Sequence, residues 1–142
     1  MSEPAGATST TIAAEVIPQL AAAAARIAAA HEEPAPASIA AAATTRVKAL
    51  DVLFSGTRMP ASFDLPSYAI VMTGHFASYR GAPPGSQIKL PRRGPCLVIV
   101  LDATSLMLTD TGLHDQDDTG LLSQLGPVTN LRRDTSRPTP NP

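Results

Sequence analysis

His75, one of three histidines in this 142-residue chain, lies near the end of a predicted strand, where it could carry acid–base chemistry. An imidazole titrates near neutral pH, so it can act as an acid, a base or a metal ligand. Asp102 and Asp110 follow it along the chain as possible carboxylate partners. If the three side chains converged in a cleft, the chain would be a small enzyme or a ligand-binding protein. Otherwise, His75 is a half-exposed strand residue.

A second candidate is the acidic segment that runs from His114 to Gly120. Asp115, Asp117 and Thr119 would occupy the first, third and fifth positions of a calcium-binding loop. The twelfth position is Gly126, where an EF-hand requires a bidentate glutamate. A solvated acidic loop is the simpler interpretation, and specific calcium binding is not expected.

Two groups of arginines are a third candidate. Arg92 and Arg93 lie between turn-forming residues, where a guanidinium can hold a phosphate or a carboxylate or simply be solvated. Arg132, Arg133 and Arg137, near the end of the chain, either contact an acidic partner or keep that segment solvated. Neither pattern is specific to one function.

The sequence has none of the common catalytic or cofactor motifs. Cys96 is the single cysteine and begins an apolar run, which is typical of a packed thiol. Ser55, Ser62 and Ser67 have no recognisable base partner. With a net charge of −1 and only three phenylalanines and two tyrosines, the chain lacks the charge and the aromatic surface for nucleic-acid binding. We therefore expect no cofactor and no nucleic-acid partner.

The elements that would position these residues begin with an alanine-rich segment. A helix is expected from about Pro18, because alanine favours helix and proline suits a first turn. Its large apolar residues are few, so it should add little to a core. It is too short and interrupted for a membrane span, and the residues before it are not those of an export signal. A cytoplasmic chain is favoured, with export or envelope association as the alternative if the start codon is mis-assigned.

Apolar spacing predicts a second helix over Ser38 to Phe54, capped by Ser38. Strands are predicted at Tyr68–Phe76 and Leu97–Leu101, with a turn at Asp102–Ser105 and a returning strand at Leu106–Thr109. The expected fold is α+β, with the amphipathic helix packed on an antiparallel sheet of three or more strands. Residues 1–37 form an Ala/Pro-rich segment with a helix and a linker, 38–126 a compact domain and 127–142 a disordered tail.

Several short segments together carry a family resemblance. They are Val71–Phe76 with its Gly-His-Phe, Ala82–Gly85, Leu97–Thr104 with its Asp-Ala-Thr, and Thr109–Leu113. Across about Thr45 to Leu113, the chain resembles a group of small actinobacterial proteins, many of them exported or membrane-anchored. The final hairpin is also similar to those of PepSY-like domains. The resemblance implies an α+β fold and an envelope location, but no activity, cofactor or catalytic residue.

The sequence therefore favours a non-enzymatic binding or protein-interaction module. A small domain without a catalytic motif can associate with a partner, or with a second copy, through the main chain of a sheet edge. The alternatives are a small enzyme or ligand-binding protein with its site around His75, and a domain stabilised by calcium.

Overall fold

The computed structural model of the chain describes residues 11–54, 64–78 and 92–132. The segment Ala82–Gly85 of the family resemblance lies outside these residues, as do Ser55, Ser62, Arg133 and Arg137. The described elements, in chain order, are α1 (Ile17–Ala30), β1 (Ser38–Thr45), α2 (Arg46–Leu53), β2 (Pro66–Ser78), β3 (Arg92–Asp102), β4 (Leu108–His114), a 3₁₀-helix (Thr119–Gln124) and β5 (Thr129–Arg132).

The strands form one antiparallel sheet in the order β4-β3-β2-β1-β5. Strand β3 is rich in valine and leucine and is buried without a break from Cys96 to Leu101, and its neighbour β2 is buried from Ala69 to Met72. A central strand with helices over both faces is apolar on both sides, which explains this continuous run. The prediction of an α+β fold with a helix on an antiparallel sheet is confirmed.

The predicted helix over Ser38 to Phe54 is wrong in its first half. Ser38–Thr45 is strand β1, which pairs with both β2 and β5, and only Arg46–Leu53 is helical. The helix cap is Thr45, whose side chain accepts a hydrogen bond from the backbone N–H of Lys48. The four alanines of β1 favour helix as free peptides, but here they fit between two packed layers where larger side chains would not.

The alanine-rich helix α1 covers one face of the sheet. Leu20, Ala23, Ala24 and Ala28 are buried and belong to the same core cluster as the inward residues of β1 to β4. The expectation that this helix adds little to a core is therefore wrong. Alanine has a small side chain, so a face of alanines lets the helix approach the sheet closely and still bury apolar area.

The opposite face of the sheet is covered by α2 and the 3₁₀-helix. Ala49 and Leu53 of α2 and Leu122 and Leu125 pack there against the alternate residues of the sheet. Because side chains alternate along a strand, the same strands supply two separate cores.

Strand β5 lies within the segment 127–142, for which disorder was predicted, so that prediction is wrong for Thr129–Arg132. The predicted strands at Tyr68–Phe76 and Leu97–Leu101 lie inside β2 and β3, whereas the returning strand begins at Leu108 and not at Leu106. In the part of the chain described, no helix is both long and apolar enough to cross a bilayer.

Candidate functional site

Strand β4 presents polar residues toward the α2 face of the sheet. Asp110 is paired with Val100, and His114 with Cys96, on the neighbouring strand β3. Directly opposite residues of an antiparallel pair point to the same face, and Val100 and Cys96 belong to the core beneath α2. Asp110 and His114 therefore lie on one face, four residues apart, at the edge of that core.

Asp110 is held by Arg46 in a two-point ion pair. Nε of Arg46 donates to Oδ2 at 2.9 Å and Nη2 donates to Oδ1 at 3.1 Å, while the Thr109 hydroxyl also donates to Oδ2 at 2.7 Å. Partial burial opposes ionisation of the carboxyl, but these donors outweigh it and hold the pKa of Asp110 below its usual value. Both carboxylate oxygens are thus occupied, and the pair fastens the start of α2 to β4.

His114 forms a second pair with Asp118, at the start of the 3₁₀-helix. Nδ1 of His114 lies 2.5 Å from Oδ2 of Asp118, and the other carboxylate oxygen accepts a hydrogen bond from the Gln116 amide. The ring of Phe54 contacts the imidazole edge-on, with centroids 5.8 Å apart. An imidazole whose Nδ1 is fixed by a carboxylate presents Nε2 in a set direction.

A cleft of about 640 Å³, here named the His114 cleft, opens beside this pair. Its walls include the polar residues Arg92, His114 and Asp118 and the apolar residues Phe54 and Leu121. The volume falls within the range of small-molecule sites.

Cys96 lies directly opposite His114 on β3, and its environment is that of a packed thiol. Its side chain is fully buried, and burial raises the pKa of the thiol to about 11. The thiolate is the reactive form of cysteine, so a protonated, buried thiol is inert. The interpretation of Cys96 as a packed residue agrees with this environment.

The structure does not bring His75, Asp102 and Asp110 together. Asp102 faces Ser67 at one end of the sheet, while His75 lies near the opposite end of β2, about 25 Å away at about 3.3 Å per residue. Asp102 instead closes the β3–β4 turn, where its carboxylate accepts hydrogen bonds from the N–H groups of Thr104 and Ser105. The three-residue site proposed from the sequence is therefore not formed.

His75 does line a smaller cleft of about 400 Å³ together with Arg93, here named the His75 cleft. His75 is exposed, and its backbone N–H donates to the Glu33 carboxylate at 2.8 Å. Arg93 lies 3.8 Å from a carboxylate oxygen of Glu32, and both side chains are largely exposed. Surface groups of this kind form a weak site.

The acidic segment from His114 to Gly120 forms hydrogen bonds among its own residues. Oδ1 of Asp117 accepts hydrogen bonds from both the N–H and the hydroxyl of Thr119, which starts the 3₁₀-helix, whereas Asp115 is exposed. Among the described residues, no three His, Cys, Asp or Glu side chains are grouped so that they could hold a metal ion. Ser67 is buried, with its hydroxyl donating to the carbonyl of Leu65.

The outer edge of β4 is the other feature of this region. Within the described residues, β4 pairs only with β3, so its second row of main-chain groups has no strand partner there. Met107 and Leu108, at the start of β4, have 67% and 43% of their surface exposed.

Sequence reasoning missed the partners Arg46 and Asp118. The one local signal for His114 and Asp118 was their spacing of four residues after a strand. The calcium-loop interpretation of the same segment assigned neither residue a role. Arg46 is distant in sequence from Asp110, and only the pairing of four strands brings them together.

Comparisons with known proteins add no relative: no protein-family profile, no curated protein and no solved structure matches the chain significantly. The actinobacterial resemblance and the envelope location that it implies stay predictions.

Proposed function

We propose that the chain is a non-enzymatic protein-interaction module that associates with a second copy of itself through the outer edge of β4. The observation that carries this proposal is an edge strand of seven residues that begins at the exposed Leu108, directly after the exposed Met107. An unpaired strand edge is a template for adding another strand through main-chain hydrogen bonds.

The composition of β4 supports this use of its edge. Natural proteins protect sheet edges with lysine, proline, charged side chains or bulges. Strand β4 contains no lysine, arginine or proline, and its one carboxylate, Asp110, is neutralised by Arg46. A register irregularity opposite Val100 and Leu101 leaves Asp110 to His114 in regular pairing with β3. Five of the seven residues of β4 therefore lie in regular pairing, and the strand carries none of the usual protecting residues.

The other edge of the sheet is less suited to pairing. Strand β5 has only four residues, and its pairing with β1 is irregular between Ile39 and Ala40. Short and irregular strands make poor templates for strand addition. This difference favours β4 as the interacting edge.

A second copy suits the β4 edge because antiparallel pairing of one strand with itself closes a two-fold dimer. Such pairing brings the Met107–Leu108 end of each β4 to the His114 end of the other. The two apolar side chains would then be removed from water at both ends of the interface, and apolar burial stabilises association.

The test is the mass of the purified chain by light scattering over a range of concentrations, with and without calcium. We expect a dimer for the wild-type chain and no effect of calcium. The variant Leu108→Lys should be monomeric, because it introduces a charge at the edge without removing a core contact. The matched control is Val128→Lys, which alters another large apolar residue of the described chain that is exposed, at 39%, and lies next to β5.

A wild-type chain that is monomeric at every concentration would contradict self-association. Loss of the dimer in Val128→Lys alone would assign the interface to β5. Circular dichroism of both variants shows whether each keeps the sheet, so a change of mass can be attributed to the interface.

A further inference from the structure

We infer that the His114 cleft binds a small phosphate monoester that carries an apolar group. The cleft lies on the α2 face of the sheet at the His114 end of β4, and the binding inferred there needs no second copy of the chain. The inference combines the free nitrogen of His114, the unpaired guanidinium of Arg92 and the apolar wall of the cleft.

The first step concerns Nε2 of His114. Asp118 engages Nδ1 and Phe54 contacts the ring, so the imidazole is held on two sides. Nε2 has no hydrogen-bond partner among the described residues, and it is not one of their buried, unsatisfied polar atoms. It is therefore accessible from the cleft while the rest of the ring is fixed.

Gly112 provides the space in front of this nitrogen. A β-carbon at Gly112 would lie 3.2 Å from Nε2 of His114 and only 2.6 Å from a ring carbon of Phe54. Any other residue at this position would push against the ring and narrow the approach to Nε2. The glycine thus keeps the polar atom and the aromatic wall available to the same ligand.

Arg92 supplies a cation on the same cleft. Strand β3 begins at Arg92, but its first residue that pairs with β4 is Cys96. Arg92 therefore lies beyond the paired part of the sheet. Its guanidinium makes no ion pair or side-chain hydrogen bond within the described residues, unlike those of Arg46 and Arg93. An unpaired guanidinium beside a cleft is suited to bidentate binding of a phosphate.

A phosphate monoester fits these two groups better than a carboxylate or a sulfate ester does. Its ionised oxygens can accept hydrogen bonds from Arg92. With a second pKa near 6, it presents both ionised oxygens and, in part of the population, a P–OH proton, so it can accept a hydrogen bond from Nε2 or donate one to it. A sulfate ester has no such proton. The ester group can pack on Phe54 and Leu121, and the cleft volume suits a molecule of that size.

The experiment is a titration of the full chain with phenyl phosphate at pH 6, followed by the backbone and imidazole NMR signals. We expect saturable shifts at Gly112 and His114. Phenyl sulfate, which has the same shape but no ionisable proton, should bind several-fold more weakly, and inorganic phosphate should also be weaker because it lacks the ring.

Variants separate the contributions of the two polar groups. Arg92→Ala should weaken binding about tenfold or more, the usual effect of losing a charged hydrogen bond. His114→Asn keeps a donor at the Nδ1 position but removes Nε2, and should weaken binding about fivefold. His114→Gln restores an amide near the Nε2 position and should recover part of the affinity.

Arg93→Ala is the matched control, because Arg93 is adjacent in sequence but lines the His75 cleft. It should change the affinity less than about twofold. Equal losses in Arg92→Ala and Arg93→Ala would show a non-specific charge effect and overturn the inference. Absence of saturable shifts at Gly112 and His114 would overturn it as well. The titration is repeated with Leu108→Lys, so failure of the dimer and failure of the ligand site are distinguished.

Discussion

Two side-chain pairs lie on the same face of β4, and they differ in which polar atoms they leave without a partner. Arg46 and Asp110 satisfy one another through two hydrogen bonds, and Thr109 adds a third. His114 and Asp118 use one imidazole nitrogen and leave the other toward a cleft. The first pair therefore fastens two elements together, whereas the second presents a fixed polar atom. A side-chain pair does not by itself indicate a binding site. A polar atom that the pair leaves without a partner, such as Nε2 of His114, does.

The largest expected effect on stability comes from breaking the Arg46–Asp110 pair. Arg46→Ala would leave the partly buried carboxylate of Asp110 without its cation, so we expect a loss of about 2 kcal/mol in the free energy of unfolding. Urea denaturation measures this. A loss below about 0.5 kcal/mol would mean that the pair behaves as an ordinary surface ion pair.

The next effect is the pH dependence of the stability that the Arg46–Asp110 pair contributes. The pKa of Asp110 is held low in the folded chain, so its contribution to stability is present above the ordinary aspartate pKa of about 3.9 and is lost as the pH falls through the lower folded value. Asp110→Asn should therefore be less stable than wild type at pH 6, by about 1–2 kcal/mol.

The difference between Asp110→Asn and wild type should narrow as the pH is lowered below about 3.9. Urea midpoints of the two chains at several pH values provide the comparison. A gap that is constant across this range would show that the carboxylate charge is not what stabilises the contact.

A smaller effect is expected at Gly112, which lies between the two pairs. Gly112→Ala forces the Phe54 ring away from its position over β4, and we expect a cost of about 1 kcal/mol, as for modest overpacking. The NMR signals of Phe54 and His114 should shift, and those of Arg46 should not. Equal shifts at both pairs would indicate that they are coupled.

The smallest effect on stability is expected for the His114–Asp118 pair. His114→Asn can keep a hydrogen bond to Asp118, so we expect less than about 1 kcal/mol of destabilisation by thermal or urea unfolding. This variant should lose ligand affinity but keep its stability, the reverse of Arg46→Ala. A large destabilisation would instead make His114 a structural residue.

The sequence predicted the fold better than the site. Strand β2 was predicted to within two residues at each end, because β-branched and aromatic residues are concentrated in it. Only the apolar part of β3, Leu97–Leu101, was predicted, because Gly94 and Pro95 favour a turn but lie inside the strand. Strand β1 was predicted as helix, because alanine favours helix and only pairing with two neighbours makes it a strand. His75 was chosen by residue type, but the structure leaves it exposed in a shallow cleft, and His114 was given no role of its own.

The sequence by itself determined where apolar strands and an alanine-rich helix could form, since these depend on local composition and periodicity. Only the tertiary structure decided which faces were covered and which polar groups met. Arg46 reaches Asp110, and Arg92 shares a cleft with His114, because the strand order brings distant segments into register. Long-range contacts of this kind depend on the pairing of whole strands, and no local spacing encodes them.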